Sequence, residues 1–384
     1  MNAQATAAAR LTALAVRDFR NLAHVDLEPP RDGFVAIGEN GQGKTNLLES
    51  IHYLQILRSA RGARDQDLVR FGAPAFHISA RVDTDACHEI GVGFERAGKK
   101  KRVRLDGAIP ERLSEALGAL PSVMFSPADV DLIVGSPTVR RRFLDIMLAL
   151  TSRGYLIALQ RYRGALVRRN AALRSAARGN RSTAAAAVWE PALAQHGAVI
   201  WSARRHWVSA MSERFTSLCQ SIGENELTHF RYATSLPSSG DPAAALAHAL
   251  EERRSHDLAR GLTHAGPHRD DVALTIAGAD GVDRELRTFG SAGQQRTAAI
   301  ALRMLEAATF TEQMGRAPVF LLDDPFAELD VGRASRILDL LTRGGLGQTI
   351  LAVPREGDIP SEFTGLARVR VNAGRITPVA PTAP

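Results

Sequence analysis

The segment 38–45, GENGQGKT, constrains this chain more than any other stretch, because the spacing G-x-x-x-x-G-K-[ST] demands a particular local fold on either side. A strand must deliver the loop and a helix must leave it. The apolar run 34–37 and the helix-forming run 45–57 supply both. Glycines at 38, 41 and 43 let backbone N–H groups turn inward around phosphate oxygens, while the following helix points its positive end at the same charge. Lys44 is then placed to reach β- and γ-phosphates, and the Thr45 hydroxyl to hold Mg²⁺.

At 384 residues the chain exceeds the size at which one hydrophobic core stops growing, which predicts two lobes. A formal net charge of +7 is compatible with an acidic polymer or an anionic surface as partner. Only four lysines occur, Lys44, Lys99, Lys100 and Lys101, leaving 44 arginines among the 48 basic residues. A compact ammonium on a flexible stem suits a phosphate cradle better than a planar guanidinium does. Cys87 and Cys219 are far apart and form no C-x-x-C, against a zinc site or a disulfide framework and for a reducing compartment. No apolar run approaches the roughly 18 residues of a membrane span. Residues 1–10 are too polar for a secretory signal, so the expected location is cytoplasmic, with no membrane partner and a frayed first turn.

Along the chain, 11–16 reads as a strand, 17–27 as a turn and second strand, and 45–57 as a helix whose apolar face packs on a sheet. Three β-like runs between Phe76 and Arg104 predict an antiparallel meander turning at Ala97 and Gly98. Its tip carries Arg96, Lys99, Lys100, Lys101 and Arg102, either to touch a phosphate backbone or to guard an edge strand. Residues 136–260 read as almost wholly helical, either a stalk or a compact bundle, with a polar link at 179–183 and breaks at Gly179 and Pro191. Arg140, Arg141, Arg142, Arg161, Arg163, Arg168 and Arg169 give that lobe a basic surface, for DNA or for solvent. Strands return at 271–276 and 284–289, and Ser291 stands at the N-cap of an amphipathic helix. An apolar strand within 317–330 ends in Asp323 and Asp324; a helix, the strand 349–353, a last hairpin and a disordered tail at 380–384 follow.

A strand delivering two carboxylates far downstream of a phosphate loop completes an ATPase site, with Asp323 on Mg²⁺ and Asp324 as general base for the attacking water. Ser291, Gly293 and Gln294 ahead of a helix resemble the signature of ABC-type ATPases, and AELD at 327–330, ending in Asp330, looks like the loop those proteins place across the same interface. The order of these parts resembles an ABC/SMC-type head. It implies an α/β fold in which an ABC-ATPase-like P-loop head, a mixed sheet with an antiparallel meander, carries a helical second lobe. Head sequence is expected at 1–122 and 262–384, and the helical lobe at 123–261.

More specific segments resemble the RecF family: FRNL at 19–22, ENGQGKTNLLESI at 39–51, RSARG at 58–62, FSPADVDLIVGSPTVRRRFLD at 125–145, GPHRDD at 266–271 and GSAGQQRT at 290–297. This resemblance covers nearly the whole chain. It implies ATP and Mg²⁺ as cofactors and nucleotide contacts from Gly38, Asn40, Gly41, Gly43, Lys44, Thr45, Asn46, Ser291, Gly293, Gln294 and Asp330. Lys44 and Asp324 would be catalytic, and Thr45 and Asp323 the metal ligands. It implies further an ATP-dependent homodimer that binds junctions of single- and double-stranded DNA, works with RecO and RecR, and promotes RecA loading in gap repair, replication restart and SOS induction. Contacts to DNA are expected from Lys99, Lys100, Lys101, Arg102, Arg140 and Arg141. Asp324 stands where ABC proteins place glutamate, and the shorter carboxylate implies slow hydrolysis, which the family resemblance implies is DNA-stimulated. The alternative is a structural DNA clamp of the SMC-like class, switched by nucleotide, with incidental hydrolysis. A transporter's ATP-binding subunit is disfavoured by the long basic insertion, and a P-loop kinase or GTPase by the presence of Ser291 to Gln294.

Overall fold

The computed structural model describes residues 8–84, 88–178, 184–237, 239–278, 280–325, 329–343 and 347–379, so Cys87, the link at 179–183 and the tail at 380–384 lie outside the described residues. Two compact units emerge, residues 1–129 with 302–384, and residues 130–301. The expected boundaries at 122/123 and 261/262 therefore shift. The second unit runs on to 301 because its sheet joins a strand at 228–233 to one at 271–277.

In the first unit β1 (Arg10–Phe19) and β2 (Leu22–Leu27) form a hairpin and β3 (Gly33–Ile37) leads into the phosphate loop. The meander follows as β4 (Ala75–Asp83), β5 (Glu89–Glu95) and β6 (Lys100–Leu105), and β7 (Ser122–Phe125) ends the first passage. The antiparallel sheet has the order β2-β1-β4-β5-β6. Residues along β4 and β5 alternate between core and solvent, as a one-sided sheet requires.

The second unit begins with the helices Pro137–Thr151, Arg153–Ala177 and Glu190–Ile222. Pro191 lies in the first turn of the last of these, where its missing N–H costs nothing, so it starts a 33-residue helix instead of breaking one. The stretch read as wholly helical contains β8 (Thr228–Ala233), which pairs with β9 (Asp271–Ala277); β9 in turn pairs with β10 (Asp283–Glu285). A strand flanked by helices is illegible locally when its partner lies some forty residues on. The strand expected at 284–289 stops at Glu285, and Leu286–Phe289 is a short helix. Phe230 of β8 takes Trp207 edge-on at 5.7 Å and Phe215 at 5.3 Å.

The chain returns to the first unit along the helix Ala292–Met314, then through β11 (Val319–Asp323), β12 (Thr349–Val353), β13 (Ala367–Asn372) and β14 (Arg375–Pro378). The central sheet has the order β14-β13-β3-β12-β11-β7, parallel except for β14. Strands β3, β7, β11 and β12 are buried throughout, the continuous apolar reading of a parallel sheet covered on both faces. The helix Lys44–Ile56 packs against β7, β11 and β12 on one side and β1 and β5 on the other. It is thus buried almost all round, where a single apolar face was expected.

Arg204 and Arg169 are internal to the second unit, the latter read from the sequence as basic surface. Arg204 donates to Asp145 Oδ1 at 2.6 Å, the Tyr155 hydroxyl at 3.1 Å and the Pro267 carbonyl at 2.7 Å. Arg169, fully buried, donates to Asp257 at 2.7 Å, Thr263 at 2.8 Å and Glu190 at 2.9 Å. Nε2–H of His268 donates to the Thr263 carbonyl at 3.0 Å, so Nδ1 accepts from the Tyr162 hydroxyl at 2.6 Å. A Cβ at Gly266 would stand 2.4 Å from that hydroxyl, and φ there is +126°, which is why GPHRDD opens with glycine. The segment reads as a structural lock.

Removing Arg169 takes a buried guanidinium from Asp257 and Glu190, leaving them to His264 and Arg254, so Arg169→Ala is expected to destabilise the protein by about 3 kcal/mol, read from urea unfolding. Burial lowers the pKa of His268 to about 4 and that of His52 to about 3, from 6.5. Both stay neutral when folded and take up a proton on unfolding, so the stability they contribute is present above pH 6.5 and lost as pH falls toward 4. His268→Gln should flatten that loss in melts taken across the window.

Candidate nucleotide site

The loop after β3 is shaped by glycines at which a side chain has no room. A Cβ at Gly38 would stand 2.2 Å from the Val371 carbonyl oxygen, and one at Gly43, where φ is +118°, 2.8 Å from Asn21 Oδ1. Gly41 has φ of +80° and sits with Asn40 at the exposed tip. Neighbours brace the loop through Gln42. Its carbonyl accepts from Asn21 Nδ2 at 3.1 Å and from Gly374 N–H at 2.8 Å, and its side-chain oxygen from Ala373 N–H at 2.6 Å. Asn46 donates to Asn21 Oδ1 at 2.8 Å, so its side chain is a brace as well. Asn21 and Gln42 escape a reading by site motif; the FRNL resemblance contained the first without giving its task.

Because β3, β12 and β11 are parallel neighbours, their carboxyl ends share one edge of the sheet, and that edge places Asp323 beside the loop. Thr45 Oγ1 lies 3.0 Å from Asp323 Oδ1 and 2.8 Å from Oδ2. Lys44 is 6% exposed and its ammonium donates to the Gly38 and Glu39 carbonyls. Burial lowers its pKa, against the attraction of Asp323 and Asp324. Burial likewise raises the pKa of Asp323, opposed by the Thr45 hydrogen bond and by Lys44. Asp324 has φ of +45°, a left-handed conformation that β-carbon-bearing residues avoid, and its N–H donates to the Ala352 carbonyl at 2.9 Å.

Behind the loop, Glu49 is fully buried and accepts from Arg20 Nε at 3.1 Å, Arg61 Nε at 3.1 Å and Ser59 Oγ at 2.5 Å. Burial pushes its carboxyl up, but these donors hold it below the usual range. Arg61 also donates to Asn46 Oδ1 at 2.6 Å, tying RSARG to the first turn of the phosphate-loop helix.

Within the second unit Ser291 occupies the N-cap expected of it. Its Oγ accepts from Gln294 N–H at 3.2 Å, while Gln294 Oε1 accepts from Ser291 N–H at 2.8 Å, a reciprocal capping box. Gln294, expected among nucleotide ligands, therefore directs its side chain at its own loop, whereas Ser291 keeps its hydroxyl proton. Gly293 lies half-buried in the first turn. Asp330 caps the helix Val331–Arg343, its Oδ1 accepting from Arg333 N–H at 2.8 Å; residues 326–328 of its loop lie outside the described residues.

The basic residues divide by their partners. Lys101 donates to the Leu57 carbonyl at 2.6 Å, pairs with Asp65 at 2.7 Å and covers the Tyr53 ring. Arg140 forks onto both oxygens of Asp271 at 2.8 Å, and Arg141 donates to the Asp270 carbonyl at 2.7 Å. All three, read from the sequence as DNA contacts, have partners within the fold. Lys99, Lys100 and Arg102 are exposed, and so is Arg104, which the motif reading omitted. Arg102 and Arg104 lie opposite Gly93 and Gly91, so no side chain on β5 stands between them and the middle of the sheet. On the next strand, burial, with Arg17 and Arg104 nearby, lowers the pKa of His77.

The family model described as RecF/RecN/SMC N terminal domain matches residues 10–357. The DNA replication and repair protein RecF of Chloroflexus aggregans is 36% identical over 395 residues, covering 94% of this chain and 98% of the relative. That of Clostridium novyi is 35% identical over 328 residues, covering 85% and 88%. A solved structure of the recombination mediator protein RecF with ATP superposes with a TM-score of 0.88 at 28% identity, covering 99% of this chain and all of that one. The Smc head domain of Pyrococcus furiosus shares the fold, with a TM-score of 0.54 at 17% identity over 97% of this chain and 96% of that one. Among the described residues no helix is long and apolar enough to cross a membrane. With a P-loop head, a helical second unit and relatives alike over most of their length, the chain belongs to the RecF family.

Proposed function

We propose that this chain is a DNA-repair ATPase that binds Mg²⁺–ATP at Gly38 to Thr45, dimerises on it, and hydrolyses it slowly while holding DNA. The observation that carries the reading is the Thr45 hydroxyl lying against both oxygens of Asp323, 278 positions away. A hydroxyl and a carboxylate at that spacing form the hard-oxygen donor set that Mg²⁺ prefers, and the ion when bound would neutralise phosphate charge. Lys44, already desolvated and held by loop carbonyls, exchanges them for phosphate oxygens. Asp324 accepts the proton of the attacking water as general base. The ATP-bound relative supports the choice of nucleotide.

Donors from one loop cover one side of a γ-phosphate, and Ser291 with its helix N-terminus is the chemistry suited to the other. A second copy is taken to supply it, as the resemblance to ABC-type ATPases implies. Asp330 and its loop belong to the same composite surface in this reading. The dimer would hold junctions of single- and double-stranded DNA and act with RecO and RecR to load RecA, during gap repair, replication restart and the SOS response; the RecFOR pathway named for the relative supports these partners.

Lys44→Met is expected to abolish both ATP binding and dimerisation, and Ser291→Arg to abolish dimerisation with ATP affinity kept. Sedimentation with and without ATP checks both, and a normal dimer of the Ser291 variant would sink the composite pocket. For DNA, the face bearing Lys99, Lys100, Arg102 and Arg104 is the favoured surface. Arg102→Glu with Arg104→Glu should reduce the slope of log affinity against log salt by about 1.8 on duplex, two phosphate contacts' worth. An unchanged slope would remove this face from the DNA path.

A further inference from the structure

The loop that leaves the 33-residue helix Glu190–Ile222 touches the signature. Gly223, at φ +112°, closes that helix, and Glu224 N–H returns to the Cys219 carbonyl at 2.9 Å. This turn sends Glu224 and Glu226 toward Gln294. Gln294 Nε2 donates to Glu224 Oε1 at 3.1 Å and to Glu226 Oε2 at 3.2 Å. Two carboxylates can only accept and the Ser291 N–H can only donate, so the amide has a single orientation that satisfies all three. Its backbone N–H meanwhile holds Ser291 Oγ, whose own proton is then left to donate elsewhere.

We infer that Glu224 and Glu226 are positioning residues for the Ser291 hydroxyl, acting through Gln294, and that they set how readily one copy's signature closes on nucleotide held by another. The inference rests on the composite pocket proposed above. Without the two carboxylates the Gln294 amide is held only through the Ser291 N–H, and the capping box that fixes Ser291 loosens. Both carboxylates accept from the one amide, each through a charge-assisted hydrogen bond that is stronger than a neutral one. Neither carboxylate needs to touch the nucleotide for its effect.

The test uses the full chain and measures dimer mass against ATP concentration. Glu226→Ala, at an exposed loop position, should raise the ATP needed for half-maximal dimer about tenfold, the size of one lost charged hydrogen bond, with an unchanged melting temperature. Glu226→Gln keeps an acceptor for the Gln294 amide and should return to within about threefold of wild type. Gln294→Ala should weaken dimerisation about as much, and adding Glu226→Ala to it should do nothing more, because the two act as one unit. Wild-type behaviour of Glu226→Ala, or losses that multiply in the double variant, would overturn the inference and leave the composite pocket intact. Failure of the wild-type chain itself to dimerise with ATP would overturn both.

Discussion

The hydrogen bonds from the Thr45 hydroxyl to Asp323 depend on three parallel strands ending side by side. β3, β12 and β11 are buried along their whole length, and burial on both faces fixes their register to the residue. A slip of one position in β11 would turn Asp323 into the core and leave Thr45 without its partner. Site geometry is therefore set by largely hydrophobic strands, of which only Asp323, the last residue of β11, carries site chemistry. The helix Lys44–Ile56, wedged between two sheets, holds the other half of the arrangement with the same precision.

Features whose causes are local were legible in the sequence. The phosphate loop shows itself because its glycines answer to backbone conformation and close approach, and the Ser291 cap because its partner stands three residues away. Features that depend on a distant partner were not. Arg140 looks like a surface charge until Asp271, 131 positions on, arrives to take it, and Lys101 is claimed by Asp65 and Tyr53 in the same way. β8 is hidden between helices for want of its neighbour β9. The motif also assigned Gln294 a ligand's role, since a signature match gives no information about Glu224 and Glu226 folding back onto it.

The preference for arginine gains a partial physical reason. Arg140, Arg169, Arg204 and Arg303 each direct a planar fork at a carboxylate inside the protein, Arg303 joining Asp129 to Glu306. A lysine at any of these positions would bring a point charge without the planar fork that matches these acceptors. Much of the positive charge counted in the sequence is consequently spent within the fold. The surface available to an acidic partner is smaller and more sharply placed than net charge implies, with the outer face of the meander as its clearest stretch.

The position of β3 has a consequence for synthesis. It lies between β12 and β13, and the loop it delivers is braced by N–H groups of Ala373 and Gly374. The phosphate loop leaves the ribosome well before either strand that flanks its own. A nascent chain must keep an apolar central strand unpaired until β12 and β13 have both been made. Nucleotide therefore meets a finished cradle only once Ala373 and Gly374 are in place, and a product cut short before β13 and β14 lacks the loop's support as well as those strands.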